Sequence, residues 1–181
     1  MNYLVIGGDP ATSCGLAAQL FNEDGEPMRP LETRVVDMST TGSDNFEEAI
    51  KKLIRCAKGC LDAESFTVVF GVESYGSWSR ARASQSRSNA VYNLLCKKYG
   101  KQIGRGKDKV VTAYRPKPQE WQRALGWVRG MDTKIFAAYY CCTILHVDLT
   151  GDKADAACIM DWTKTEFFRN LKVMRKLARP E

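Results

Sequence analysis

Residues 3–10 read YLVIGGDP, an apolar run that breaks at two glycines and ends in an acid followed by proline. Such a run is typical of a buried strand that stops at a turn. The segments 15–21 (GLAAQLF) and 31–38 (LETRVVDM) have strand-like composition, and the polar stretch NEDGEP between them supplies turn residues. The sequence therefore predicts three antiparallel strands at 3–7, 15–21 and 31–38.

The rest of the chain alternates between helical and strand patterns. Asp44 and Glu47 have the spacing of a capping box for a helix over 44–58, and FTVVFGV at 66–72 predicts a buried strand. Further patterns predict a helix at 80–99, an exposed basic loop at 97–109, a strand at 110–114, and helices at 118–125, 131–145 and 152–177. We therefore predict an α/β fold in which helices flank a mixed five-stranded sheet, with an antiparallel trio and two parallel strands.

The composition narrows the functional classes. Lys plus Arg number 27 against 21 Asp plus Glu, a net charge of +6 that favours an anionic partner such as nucleic acid. The seven cysteines form no Cys-x-x-Cys pair, which predicts reduced thiols in the cytoplasm, and a single histidine argues against a zinc site. No apolar run approaches the ~18 residues of a membrane span, and no repeat or linker divides the chain, so we predict one domain over 1–181.

Four acids fall at the ends of predicted elements. Asp9 follows the first strand, Glu73 follows the strand at 66–72, and Asp152 and Asp155 open the last helix three residues apart, on one face. Taken singly, each acid has a simpler interpretation as a turn residue or a helix cap. Together, in a basic chain, they predict ligands for Mg²⁺ or Mn²⁺, which prefer oxygen donors.

Five segments, in this order along the chain, resemble the RuvC family of Holliday-junction resolvases, especially its phage and poxvirus branch. They are IGGDPATSCGLA (6–17), VVFGVES (68–74), YRPKPQEWQRALG (114–126), MDTKIFAAYYCC (131–142) and GDKADAACIMDW (151–162). The resemblance implies an RNase H-like fold, a homodimer, and metal-dependent paired nicking of four-way DNA junctions that leaves 5′-phosphate and 3′-hydroxyl ends. No small-molecule cofactor is expected.

The resemblance also implies roles for single residues. Asp9 would bridge two Mg²⁺ ions, for which Mn²⁺ can substitute, and Glu73 and Asp155 would complete the ligand set with Asp152 beside them. Lys134 matches a basic residue that the family places near the scissile phosphate. The chain departs from the family at position 8, where a glycine replaces the usual aliphatic residue.

The DNA-binding surface is predicted from aromatic and basic residues. The family carries an aromatic that wedges into the junction, and Tyr75 and Trp78 are the candidates here. The basic candidates for phosphate contact, each of which also fits a solvated surface, are Arg80, Arg82, Arg87, Arg105, Lys107, Arg115 and Lys117. The helix at 80–99 is the candidate dimer surface, whereas Trp121 and Trp127 are predicted to be core residues.

Three alternatives stay open from the residues alone. One is another RNase H-like nuclease that acts on forks, flaps or RNA–DNA hybrids. The second is an actin-like kinase or ATPase, because DPATSCG resembles a phosphate loop, but the chain lacks the second Gly-rich loop that such proteins need. The third is a non-catalytic protein that binds branched DNA, which would have no use for clustered acids that repel phosphate.

Overall fold

A mixed five-stranded sheet lies at the centre of the computed structural model, which describes residues 1–38, 43–59, 66–75, 82–100, 102–103 and 110–177. Strands β1 (Asn2–Pro10), β2 (Ser13–Phe21) and β3 (Glu32–Asp37) pair antiparallel. Strands β4 (Phe66–Val72) and β7 (Ala113–Tyr114) join in parallel, so that the order is β3-β2-β1-β4-β7. The predicted fold class is confirmed.

The central part of strand β1 is apolar because helices cover the sheet on both faces. Successive side chains of a strand point to opposite faces, and here Tyr3 and Val5 belong to one buried cluster while Leu4 and Ile6 belong to the other. The second cluster contains Phe46 and residues of two helices, α1 (Ser43–Lys58) and α2 (Arg82–Tyr99). The first contains residues of α3 (Pro118–Ala124), α4 (Thr133–Thr143) and α5 (Gly151–Leu177).

The single strand predicted at 110–114 is wrong. Val110–Val111 (β6) pairs antiparallel with Gln102–Ile103 (β5) in a separate two-stranded ribbon, and only Ala113–Tyr114 joins the main sheet. The chain passes from the ribbon to the main sheet at Thr112, whose carbonyl accepts a hydrogen bond from the N–H of Phe70 on β4 at 2.8 Å. The loop predicted over 97–109 is wrong at residues 97–99, which belong to α2, and at residues 102–103, which form a strand. Lys101 and residues 104–109 lie outside the described residues.

Two helices start earlier than predicted. Helix α1 already contains Ser43, so Asp44 does not precede its first turn; the side chain of Asp44 lies outside the described residues. Glu47 instead forms ion pairs with Lys51 on α1 and with Lys98 on α2, and so ties the two helices together. Helix α5 begins at Gly151, one residue before the predicted start, and Asp152 lies in its first turn.

The cysteines and helices agree with the expectations drawn from composition. The six cysteines in the described part of the chain are free thiols, and Cys14, Cys141 and Cys158 are buried as small apolar groups. Among the described helices, none is both long and apolar enough to cross a membrane.

Candidate metal centre

Asp9 and Glu73 lie side by side because neighbouring parallel strands carry them. Gly8 is in register with Val72, so the residues that follow them occupy the same end of β1 and β4. The backbone N–H of Glu73 donates to the carbonyl of Gly8 at 3.0 Å, although Glu73 is just beyond the strand. Asp9 is still within β1, opposite Gly15 of β2, and does not follow the strand as predicted. Both acids are buried.

Helix α5 reaches the same place because two strand glycines let it lie directly on the sheet. A Cβ atom on Gly15 would be 1.9 Å from the backbone oxygen of Asp152, and one on Gly7 would be 2.3 Å from that of Ala156. Sequence reasoning missed these glycines. Glycine inside a strand pattern indicates close approach by another backbone, and that signal was present in the sequence.

The carboxylates of Asp9, Asp152 and Asp155 meet over this end of the sheet. One ligand oxygen from each lies within 4.8 Å of the other two. Glu73 is not in this group of three, but it neighbours Asp9 across the pairing of β1 and β4, and the charge of Asp9 helps to raise the pKa of Glu73. Such a set of hard oxygen donors fits Mg²⁺ or Mn²⁺.

Lys134 lies at the rim of the carboxylates. Its ammonium group donates to Asp152 Oδ1 at 3.1 Å and also to Asp155 Oδ2. Burial lowers the pKa of Lys134, but the two carboxylates outweigh it and raise the pKa overall. Lys134 thus stays charged where α4 begins, one residue into the helix that Asp132 caps.

The surroundings of the acids do not compensate fully for the negative charge that the ionised carboxylates would carry. Burial raises the pKa of Glu73 to about 8, with the charge of Asp9 adding to it, and burial raises the pKa of Asp155 to about 6 against the opposing effect of Lys134. The pKa of Asp9 is raised as well, mainly by burial. A bound divalent cation would lower these pKa values, because its positive charge favours the ionised form of each acid.

Tyr75 points into the carboxylates in this structure. Its hydroxyl donates to Asp9 Oδ1, and burial together with the charges of Asp9 and Glu73 raises the pKa of Tyr75. This arrangement differs from the outward-facing wedge for which Tyr75 was one candidate. The other candidate, Trp78, lies outside the described residues, so the wedge stays a prediction.

Trp121 contacts the site, which sequence reasoning missed. It is buried, as predicted for a core residue, but its indole N–H also donates to Glu73 Oε1 at 2.6 Å. Buried tryptophans usually find a hydrogen-bond acceptor. The sequence therefore indicated that Trp121 needs a partner, but not which one.

The described DNA-binding candidates differ in their surroundings. Arg87 Nη2 donates to Thr12 Oγ1 at 3.2 Å, and Arg115 donates to Ser88 Oγ and Asn89 Oδ1 at 3.1 and 2.8 Å. Lys117 is exposed before α3. Arg80, Arg105, Lys107 and the side chain of Arg82 lie outside the described residues. DNA contact stays a prediction at all seven basic positions.

Comparison with known proteins supports the fold. No family model and no curated protein matches the chain. Solved structures do match, among them RuvC of T. thermophilus in complex with a Holliday junction substrate, at 15% identity and a TM-score of 0.56, and a Thermus thermophilus RuvC structure at 17% and 0.54. The matches cover 93% and 95% of this chain and 96% and 97% of the respective RuvC chains. The protein therefore has the RNase H-like fold of RuvC, as its motifs indicated; the phage or poxvirus branch stays a prediction.

Proposed function

We propose that this protein is a metal-dependent endonuclease that resolves four-way DNA junctions by paired phosphodiester hydrolysis. One observation carries the proposal: the carboxylates of Asp9, Asp152 and Asp155 lie within 4.8 Å of one another, at one end of a sheet with the RuvC topology. A RuvC structure with that fold was solved with a Holliday junction substrate. Four-way junction DNA is accordingly the substrate that we propose here.

Asp9, Glu73, Asp152 and Asp155 would hold the metal. We propose two Mg²⁺ ions for each active site, with Mn²⁺ as a substitute. When bound, such ions activate a water for attack on the phosphodiester and stabilise the departing oxygen. A non-catalytic DNA-binding protein would gain nothing from this arrangement, because buried carboxylates without metal repel phosphate.

Lys134 would bring positive charge to the scissile phosphate. Its side chain is half exposed, whereas the Asp155 side chain that it contacts is only 10% exposed, so the ammonium group lies between the acids and solvent. A fixed cation at that position stabilises the charge that develops on the phosphate oxygens in the transition state. The acids in turn hold Lys134 in place before DNA arrives.

A homodimer would supply two cuts. A symmetric four-way junction needs two active sites, and a two-fold axis relates both the sites and the strands to be cut. We propose α2 as the dimer surface, because its exposed residues Ala83, Ser86 and Ala90 are small enough to let a partner helix approach closely. We also propose that the protein acts in the cytoplasm.

The decisive experiment compares cleavage of four-way junction, fork, duplex and RNA–DNA hybrid substrates in Mg²⁺ by the wild type and by Asp9→Asn. We expect the junction to be cut in preference to the others. Asp9→Asn should lower the rate roughly 1000-fold, a loss of about 4 kcal/mol of transition-state stabilisation, while junction binding is kept. Asp148→Asn changes an exposed acid outside the site and serves as the matched control.

Two results would contradict the proposal. Cleavage by Asp9→Asn at nearly the wild-type rate would show that the proposed metal site takes no part in cleavage. Preference for forks or hybrids over the junction would instead favour another RNase H-like nuclease with the same carboxylates.

A further inference from the structure

The contact between Trp121 and Glu73 joins two buried side chains from distant parts of the chain. Trp121 is 2% exposed and Glu73 is 6% exposed, and the indole N–H donates to Glu73 Oε1 at 2.6 Å. A buried carboxylate that keeps a charge needs donors, and Trp121 supplies a neutral one. Because a neutral donor does not compete with a metal for charge, it orients the acid without replacing the metal.

The backbone around Glu73 is fixed as well. Its N–H donates to Gly8 of β1, and its carbonyl accepts a hydrogen bond from the hydroxyl of Ser88 on α2. The next residue, Ser74, donates its N–H to the carbonyl of Pro116 at 2.8 Å, two residues before α3 begins. This bond brings the start of α3 beside the end of β4, and Trp121 is the buried residue of that helix.

The carboxylate therefore has one restrained oxygen and one directed oxygen. With Oε1 held by the indole, rotation of the carboxylate about its last bond is restricted, and Oε2 is presented in one direction. Glu73 lies beside Asp9, one of the proposed metal ligands, because Gly8 and Val72, the residues that precede them, are in register on β1 and β4. Ligand groups that are oriented in advance bind a metal more tightly than freely rotating ones.

We propose that Trp121 is a positioning residue, which holds Glu73 in the orientation needed to bind metal. This inference rests on the proposed function, because it assumes that Glu73 takes part in the metal site. It gives the Pro-x-x-Trp segment at 118–121 a role in metal binding in addition to its place in the core.

Trp121→Phe tests the proposal, since it keeps an aromatic ring and removes the N–H donor. The measurement is the thermal stabilisation of the DNA-free protein as Mg²⁺ is titrated. We expect the Mg²⁺ concentration for half-maximal stabilisation to rise about 10-fold, the lower end of the effect of losing such a partner. Junction cleavage should be weak at low Mg²⁺ and should recover toward the wild-type rate at saturating Mg²⁺.

Trp127→Phe is the matched control. Trp127 is half-buried and donates its indole N–H to the backbone oxygen of Met131, away from the acids. It should leave the Mg²⁺ titration unchanged. Equal Mg²⁺ affinity in Trp121→Phe and the wild type, or equal shifts in both variants, would overturn the positioning role alone. A wild type that Mg²⁺ does not stabilise at all would overturn the proposed function together with it.

A second measurement does not require the Trp121 variant to fold. In ¹⁵N-labelled protein, the indole N–H resonance of Trp121 should move when Mg²⁺ is added and should move again in Glu73→Gln. The resonance of Trp127 should stay in place in both cases and is identified by its loss in Trp127→Phe. A Trp121 resonance that responds to neither change would overturn the proposal.

Discussion

The two sides of the carboxylate site are built in different ways. On the helix side, comprising β1, β2 and α5, the acids meet because backbone lies directly on backbone at Gly7 and Gly15. On the strand side, comprising β4 with α2 and α3, Glu73 is held by hydrogen bonds from Trp121 and Ser88. Steric contact between backbones leaves no room for an added atom, whereas a hydrogen-bond network loses one bond at a time. The helix side should therefore tolerate substitution less than the strand side.

Gly15→Ala should have the largest effect. Its Cβ would be 1.9 Å from the Asp152 carbonyl, a backbone atom that can move only if α5 shifts. We expect the free energy of unfolding to fall by about 3 kcal/mol, the upper end of the usual cost of overpacking. Junction cleavage should fall as well, because Asp152 and Asp155 move with the helix. Urea denaturation and the cleavage rate measure the two effects.

Gly8→Ala is the control, and it also addresses the departure from the family at this position. A Cβ on Gly8 would meet its nearest atom, a methyl carbon of Leu16, at an ordinary 3.5 Å. We expect a change in stability within about 0.5 kcal/mol. Similar losses in both variants would show that the helix side is not limited by the approach of α5.

On the helix side, the separate elements were predictable from local sequence, but the close approach at Gly7 and Gly15 that brings their acids together was missed. The apolar run that predicts β1 and the spacing of Asp152 and Asp155 in the last helix each lie within one stretch of sequence, and the structure contains both elements. The exact places of these acids were less predictable: Asp9 lies inside β1, because pairing with β2 extends the strand to Pro10. Strand ends depend on the partner strand, which no single segment encodes.

In EDTA, which removes divalent metal, the stability of the protein should depend on pH. Burial raises the pKa of Glu73 to about 8 and that of Asp155 to about 6, above the values near 4 expected in the unfolded chain. The folded state thus binds more protons, so stability is greatest at low pH and is lost as pH rises through this window. We expect the unfolding free energy to fall between pH 5 and pH 8.

Both Mg²⁺ and a charge-removing variant should flatten this dependence. Bound Mg²⁺ favours the ionised acids, and Asp9→Asn removes the charge that, next to burial, raises the pKa of Glu73 most. Asp148→Asn, which changes an exposed acid that is not among the clustered carboxylates, should keep the wild-type slope. Stability that is flat or rises between pH 5 and pH 8 in EDTA would mean that the acids are already balanced within the protein.

The strand side was less predictable, because its hydrogen bonds join segments far apart in the chain. Trp121 was expected in the core and Arg115 on a DNA-binding surface. In the structure Trp121 also contacts Glu73, and Arg115 donates to Ser88 while lying 4.8 Å from the centre of the Tyr92 ring. Residue type shows that such side chains need partners, but the choice of partner requires the tertiary fold.

The smallest effects should separate Arg115 from Lys117, two neighbouring residues that the sequence presents alike. Arg115→Gln removes donors to Ser88 and Asn89 and should lower the unfolding free energy by about 1 kcal/mol, with little change in the salt dependence of junction binding. Lys117 is exposed, so Lys117→Gln should leave stability unchanged and reduce the slope of log affinity against log salt by about 1. Junction binding measured across a salt series and urea denaturation distinguish the two outcomes. If Arg115→Gln reduced the salt slope instead, Arg115 would contact DNA phosphate, and the strand side would belong to the DNA-binding surface as well as to the support of Glu73.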